Sequence, residues 1–164
     1  MDENDKSILA THIPLLVRMF DKSEGDVLEI GTGWFSTITL DWLANLYKRH
    51  VYSYESSNHW YKRAKRYESK FHHIIKIESW DDLPADKHWG LVFIDHSPEE
   101  RRHVEIERFK DLADYIVVHD TQPEDDVKYQ YSGSWKYFKY KYDWIKAKPW
   151  TSVVSNTKDL NNIL

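Results

Sequence analysis

The 164-residue chain contains no cysteine. Disulfide bonds, thiolate metal sites and a cysteine nucleophile are therefore excluded. No stretch approaches 18 consecutive apolar residues, so nothing reads as a membrane-spanning helix. The opening MDENDKSILATHIPLL is acidic and lacks the basic end and long apolar run of a signal peptide. A soluble, cytoplasmic protein is expected. No charge of one sign dominates: the formal net charge is −4, which gives no global electrostatic reason to bind nucleic acid. Neither an internal repeat nor a low-complexity linker divides the chain, so one domain over residues 1–164 is expected. What the chain has in quantity is aromatic surface, with 8 Trp, 11 Tyr and 6 Phe. It can bury a sizeable core, which argues against disorder.

Apolar patterning alternates between strand and helix. IPLLVRMF reads as a short helix with Pro14 in its first turn, where a missing N–H is harmless. DVLEI, HVYSYE, HHIIKIE, GLVFID and DYIVVHD read as five strands. Between the first two, Ile38, Trp42 and Leu46 fall at i, i+4, i+8, a helical spacing. Trp60, Ala64, Tyr67 and Phe71 mark one face of a second helix. SPEERRHVEIERFKDLA carries helix-start chemistry, with Ser97 as cap, Pro98 in first position and Glu100 completing a capping box. Val104, Phe109 and Leu112 supply its apolar positions. This alternation predicts an α/β fold with a mostly parallel, doubly wound sheet covered on both faces. In FKYKYDW the aromatics alternate with Lys139, Lys141 and Asp143, a period of two. With WTSVVSN it predicts a closing antiparallel hairpin; a helix through Trp135, Phe138, Tyr142 and Ile145 is the alternative. QPEDDVKYQYSGSW reads as a loop able to cover a substrate.

The junction VLEIGTGWFST is the most informative stretch. Ligands of open α/β sheets bind at the carboxyl ends of the strands. There Gly31 and Gly33 let the backbone bend and approach a ligand, and the next helix points N–H groups at the turn. Glu55 closes the second strand, where a carboxylate can accept both hydroxyls of a ribose. Glu29, inside an apolar strand, is costly unless partnered. It is expected to take backbone N–H bonds from the turn or to act through water on a ligand amine.

These residues resemble the class I S-adenosylmethionine-dependent methyltransferases, whose first strand closes on an E/D-x-G-x-G pattern. YSYESS is similar to their second-strand acid, ESWDD to the segment beside the adenine, and WGLVFIDH to the fourth-strand motif. The resemblance spans roughly Asp26 to Asp120. It implies a Rossmann-like sheet of order 3-2-1-4-5 with an antiparallel last hairpin. It implies S-adenosylmethionine as cofactor, with Glu29, Gly31, Thr32 and Gly33 on the methionine side of the pocket. Glu55 and Ser56 would lie at the ribose, Trp80 and Asp81 at the adenine, and Asp95 toward the methionine or substrate. LVFIDHSPEER followed by IVVHDTQP also resembles the catechol-type O-methyltransferases. That likeness matches Asp95 and Asp120 to two Mg²⁺-ligand positions, with Thr121 where an Asn would stand. The family's catalytic lysine falls at Pro98, which cannot act as a base.

Methyl transfer needs positioning, and a base only where the acceptor loses a proton. Asp95, His96 and His119, at the ends of neighbouring strands, are the catalytic candidates. Arg101 and Arg102 read as a solvated helix face balancing Glu99, Glu100 and Glu105, or as bidentate anchors for an acidic substrate. From Lys128 to Trp150 there are six lysines, one acid and nine aromatics. They read first as a sheet with a buried aromatic face, and second as a surface that stacks nucleic-acid bases. The expected activity is O-methylation of a small molecule. Alternatives are a non-catalytic cofactor- or nucleotide-binding module, cleavage or rearrangement of the cofactor, and nicotinamide-dependent redox chemistry, which Glu29 and Ser36 disfavour.

Overall fold

The computed structural model describes residues 10–161 and 163. Seven strands form one sheet in the order β3-β2-β1-β4-β5-β7-β6. The five parallel members are β1 (Val27–Ile30), β2 (Val51–Glu55), β3 (His72–Lys76), β4 (Trp89–Ile94) and β5 (Ala113–His119). β6 (Tyr140–Trp144) and β7 (Thr151–Ser155) close the sheet antiparallel, with β7 against β5. Strand order and closing hairpin agree with the expectation. β1 and β4 are buried at every position, whereas β2 alternates buried and half-buried residues. That is the pattern of central strands covered on both faces beside a less covered neighbour.

Period two sends alternate residues to opposite faces. Val27, Leu91, Phe93 and Val117 meet α1 (Ile13–Lys22) and α2 (Ser36–Tyr47) through Leu16, Met19, Phe20, Leu40 and Leu43. Leu28, Ile30, Val92, Ile94 and Ile116 pack on the other face against Ile106 and Phe109 of α4 (Arg102–Phe109). A short helix, α3 (Asn58–Ala64), lies along β2 and β3. Among the described residues no helix is long and apolar enough to cross a membrane.

Four local expectations are corrected. α2 forms where its spacing predicts, but Ile38, Trp42 and Leu46 face outward while Leu40, Leu43 and Ala44 are buried. The helix is apolar around most of its circumference, so either stripe satisfies the pattern. The second predicted helix stops at Ala64 and continues as a 3₁₀ turn, Lys65–Tyr67, which leaves Phe71 outside it. Pro98 precedes a 3₁₀ turn, Glu99–Arg101, with no side-chain cap, so the expected capping box does not form. The predicted loop before the hairpin holds two short helices, α5 (Asp126–Tyr129) and α6 (Tyr131–Trp135), joined by Gln130 at φ +57°. Buried Tyr129 and Tyr131 give that segment its own hydrophobic anchor.

Candidate active site

A cavity of about 500 Å³ opens where β1, β2, β4 and β5 end. Its wall includes Gly31, Thr32 and Gly33 after β1, Glu55 and Ser56 after β2, and Asp95 and His96 after β4. His119 and Asp120 from the end of β5 complete it. The fold thus gathers most of the residues expected at the site. Glu29, Trp80 and Asp81 are not among the lining residues.

The turn after β1 is built by side chains behind it. Gly31 has φ +89°, and a Cβ there would stand 2.5 Å from the His96 Cα. Its first requirement is close approach to the neighbouring strand end, before any ligand. Gly33 N–H donates to Thr37 Oγ1 at 2.9 Å, and Thr37 passes its own proton to Glu29 at 3.0 Å. Glu29 is fully buried. Burial pushes its carboxyl up to about 7, and surrounding hydroxyls, Ser53 first, pull it back only in part. It therefore supports the turn from below.

Glu55 is a junction as well as a wall. Its Oε2 accepts from Thr32 N and Thr32 Oγ1, both at 2.9 Å, and Oε1 accepts from Ser57 N at 2.7 Å. Ser57 is the N-cap of α3. An ionised carboxylate offers about four acceptor positions, so one remains for a ligand hydroxyl without rearrangement. A second becomes available when the Thr32 hydroxyl rotates away. These residues fit a ribose on that condition.

Trp80 is buried behind His96, its ring 4.5 Å from the imidazole, and its Nε1 donates to Ser97 O at 2.9 Å. Asp81 is exposed and paired with Arg101 at 2.6 Å. Trp34 and Trp60 line the cavity instead, in edge-to-face contact with each other. Arg63 lies over the Trp34 ring.

The cavity floor carries most of the charge. Arg102 is 4% exposed, contrary to a solvated helix face. Its Nη2 meets Asp95 Oδ1 at 2.9 Å, its Nη1 meets Asp120 Oδ2 at 2.8 Å, and its Nε donates to His96 O at 2.7 Å. A guanidinium therefore stands between the two carboxylates matched to Mg²⁺-ligand positions, and supplies the positive charge a cation would bring there. Burial would lower the Arg102 pKa, but Asp95 and the other anionic neighbours outweigh it and hold it above the ordinary value. Beneath this group lie Tyr129 and Tyr131, with Tyr131 Oη donating to His119 O at 3.3 Å. The segment expected to cover a substrate thus buttresses the site floor.

His96 is fully enclosed, and its Nε2 lies 2.9 Å from Glu105 Oε2. Glu105 is 0% exposed and also accepts from Arg101 Nε at 3.0 Å. His119 Nδ1 lies 3.4 Å from Asp95 Oδ1. Burial opposes charge on His119, yet the Asp95 carboxylate outweighs it and raises the imidazole pKa. Burial would likewise raise the Asp95 carboxyl, but His119 and Arg102 hold it well below the usual carboxylate range.

His12 was not singled out by the sequence. It precedes α1, is 2% exposed, and its ring lies 4.7 Å from that of His119. Burial holds its imidazole neutral, down to about 3. No local motif marks it, because its neighbours are 83 and 107 residues away in sequence (positions 95 and 119 against 12).

No protein-family model and no curated protein matches the chain. Solved structures do. The O-methyltransferase TomG from Streptomyces achromogenes, in complex with S-adenosylmethionine, matches with TM-score 0.65 and 14% identity, over 96% of this chain and 91% of its own. Cofactor-bound Rv0187 from MTB matches with TM-score 0.67 and 19% identity, over 96% and 92%. The N-terminal domain of human METTL16, in complex with S-adenosylhomocysteine, matches with TM-score 0.64 and 11% identity, over 92% and 71%. With the strand order and the site at the carboxyl ends of the strands, these likenesses show that the chain has the class I S-adenosylmethionine-dependent methyltransferase fold.

Proposed function

We propose that the chain is an S-adenosylmethionine-dependent methyltransferase acting on an oxygen of a small molecule. The observation that carries this reading is the cavity itself. It lies at the ends of four parallel strands, with a ribose-competent Glu55 on one wall and the Asp95–His119 pair on its floor. Bound there, the cofactor supplies an activated methyl group. The chain's own residues orient, dry and deprotonate. The Gly31–Gly33 turn and Glu55 fix the adenosyl end. Trp34 and Trp60 restrict water at the wall. His119, made basic by Asp95, takes the proton of the acceptor hydroxyl. His96, locked on Glu105, holds the loop after β4 and the Arg102 guanidinium. Most of the acceleration is then positional, which suits a floor with few uncommitted groups.

The second reading is a cofactor-binding module without transfer. It is favoured by the commitment of Asp95 and Asp120 to Arg102.

Tryptophan emission tests the first step, because two indoles line the cavity. S-adenosylmethionine and S-adenosylhomocysteine should change the emission saturably, and NADH should not. A folded protein unresponsive to both sulfur compounds would remove the reading. Transfer of labelled methyl to a cell extract separates enzyme from module.

A further inference from the structure

We infer that His12, Asp95 and His119 form a binding site for a divalent transition-metal ion of the zinc and cobalt class, at the floor of the cavity. The ligand set is complete without a cofactor; an ion and the acceptor's proton are alternative occupants of the one free His119 lone pair, so the metal test is read separately from methyl transfer.

Three observations converge. One potential ligand atom from each of the three residues lies within 4.8 Å of the other two, and all three residues line the cavity. Side-chain adjustments of about 1 Å would bring them to the ~2.0–2.2 Å bonds of a first-row ion. Both ring nitrogens of His12 are buried and lack a hydrogen-bond partner. A buried imidazole normally satisfies at least one nitrogen; an unpartnered nitrogen beside Asp95 and His119 points to a ligand.

The third observation fixes a tautomer. Thr11 Oγ1 donates its proton to Pro149 O at 2.8 Å. It must therefore accept from His119 Nε2, 3.0 Å away. When His119 is neutral, its Nδ1 presents a lone pair toward Asp95 Oδ1 at 3.4 Å. Two lone pairs facing each other repel unless a proton or a cation lies between them. The Thr11–Pro149 relay has the form of the outer hydrogen bond that orients a metal-ligating histidine.

Two imidazoles and one carboxylate select for zinc, cobalt or nickel over the oxygen-seeking Mg²⁺. With neutral imidazoles, Asp95, Asp120 and Arg102 sum to −1. A divalent ion is thus attracted to the floor despite the guanidinium nearby. Three protein ligands leave a coordination position open toward the cavity.

The test uses the full chain, stripped with a chelator and titrated with Co²⁺ while visible absorption is followed. A saturable 1:1 band that Zn²⁺ displaces and Mg²⁺ does not is expected. Co²⁺ affinity should fall at least tenfold in His12→Ala and in His119→Ala. The other imidazole pair, His50 Nδ1 and His73 Nε2 at 2.9 Å, is the obvious competitor. His73→Ala should therefore leave the band intact. Should His12→Ala fail to fold, the Zn²⁺-dependent rise in Tm of the unmodified chain, against that of His12→Gln, gives the same decision. Absence of both band and Tm rise in the unmodified chain overturns the site. So does a band lost in His73→Ala but unchanged without His12 and His119.

Discussion

Arg102 Nη1 holds the Asp120 carboxylate at 2.8 Å across the gap between the first turn of α4 and the end of β5. Asp120 has φ +60°, a left-handed conformation that a non-glycine residue adopts at a cost. The ion pair is one of the contacts that hold it there. Arg102→Ala leaves two carboxylates without their shared cation and the His96 carbonyl without its donor. A loss of about 3 kcal/mol is expected, at the lower end for a broken buried pair because both carboxylates keep some solvent contact. Arg102→Lys should recover only part of this, since one ammonium cannot reproduce the planar fork that spans three acceptors. Urea denaturation of the three proteins checks the order.

The two glycines at positions 31 and 133 should respond in opposite directions to alanine. At Gly31 the new Cβ meets backbone atoms of His96 at 2.5–2.8 Å, and φ is +89°. Backbone on the neighbouring strand end cannot yield without disturbing the floor, so Gly31→Ala should cost several kcal/mol. At Gly133, within α6, nothing lies within 4 Å of an added Cβ. Gly133→Ala should stabilise by about 0.5–1 kcal/mol through helix propensity. Thermal melts of the pair read the contrast directly.

Glu29 predicts a pH dependence with a definite sign. Its carboxyl is pushed from an ordinary 4.5 up to about 7 by burial. Below about 4.5 the group is neutral in both folded and unfolded chains. As pH rises, the unfolded chain releases this proton first, so folding stability declines through the window from 4.5 to 7. Above 7 the loss is complete. At about 1.4 kcal/mol per unit it amounts to something on the order of 3 kcal/mol. Glu29→Gln keeps an acceptor for Thr37 and removes the ionisation. The difference in stability between the two proteins should therefore widen between pH 5 and 7 and stay constant above. Equal slopes across that window would contradict the assignment.

Much of this architecture is legible in the residues, for identifiable reasons. VLEI and WGLVFI are continuous apolar runs because both sheet faces are covered, and FKYKYDW alternates because one face of β6 is not. The glycine turn is legible because backbone geometry restricts which residues can stand there, and Glu55 because a carboxylate closing a strand offers two acceptor oxygens at the ligand end of the sheet. The floor is less so. Arg102 and Glu105 share the inward face of α4 with Ile106 and Phe109. Charge normally marks the outward face, and Val104, the residue that looked like core, is 41% exposed. The inversion becomes visible only when the ends of β4 and β5 bring Asp95, His96 and Asp120 to meet that face. His12 is hidden for a different reason: its role depends on where α1 enters the fold, which no local pattern records.

At Glu55 the protein's own hydrogen bonds and the expected ligand compete for one carboxylate. Glu55→Ala would be a poor probe, since Thr32 N and Ser57 N both depend on the carboxylate. Glu55→Gln retains an acceptor for one of them and loses the charge. Affinity for S-adenosylhomocysteine should fall about 10- to 100-fold, the range of a charge-assisted hydrogen bond. Thr32→Val acts on the other side of the same contest. It preserves the backbone N–H bond to Oε2 and deletes the hydroxyl that occupies a second acceptor position. If the ribose needs that position, affinity should rise a few-fold, because no protein hydroxyl must be displaced first. If the Thr32 hydroxyl is itself a ligand contact, affinity should fall instead. Calorimetric titration of the two variants alongside the unmodified chain distinguishes these outcomes. Opposite signs for Glu55→Gln and Thr32→Val would establish that one carboxylate serves the turn in the free protein and the ligand in the complex.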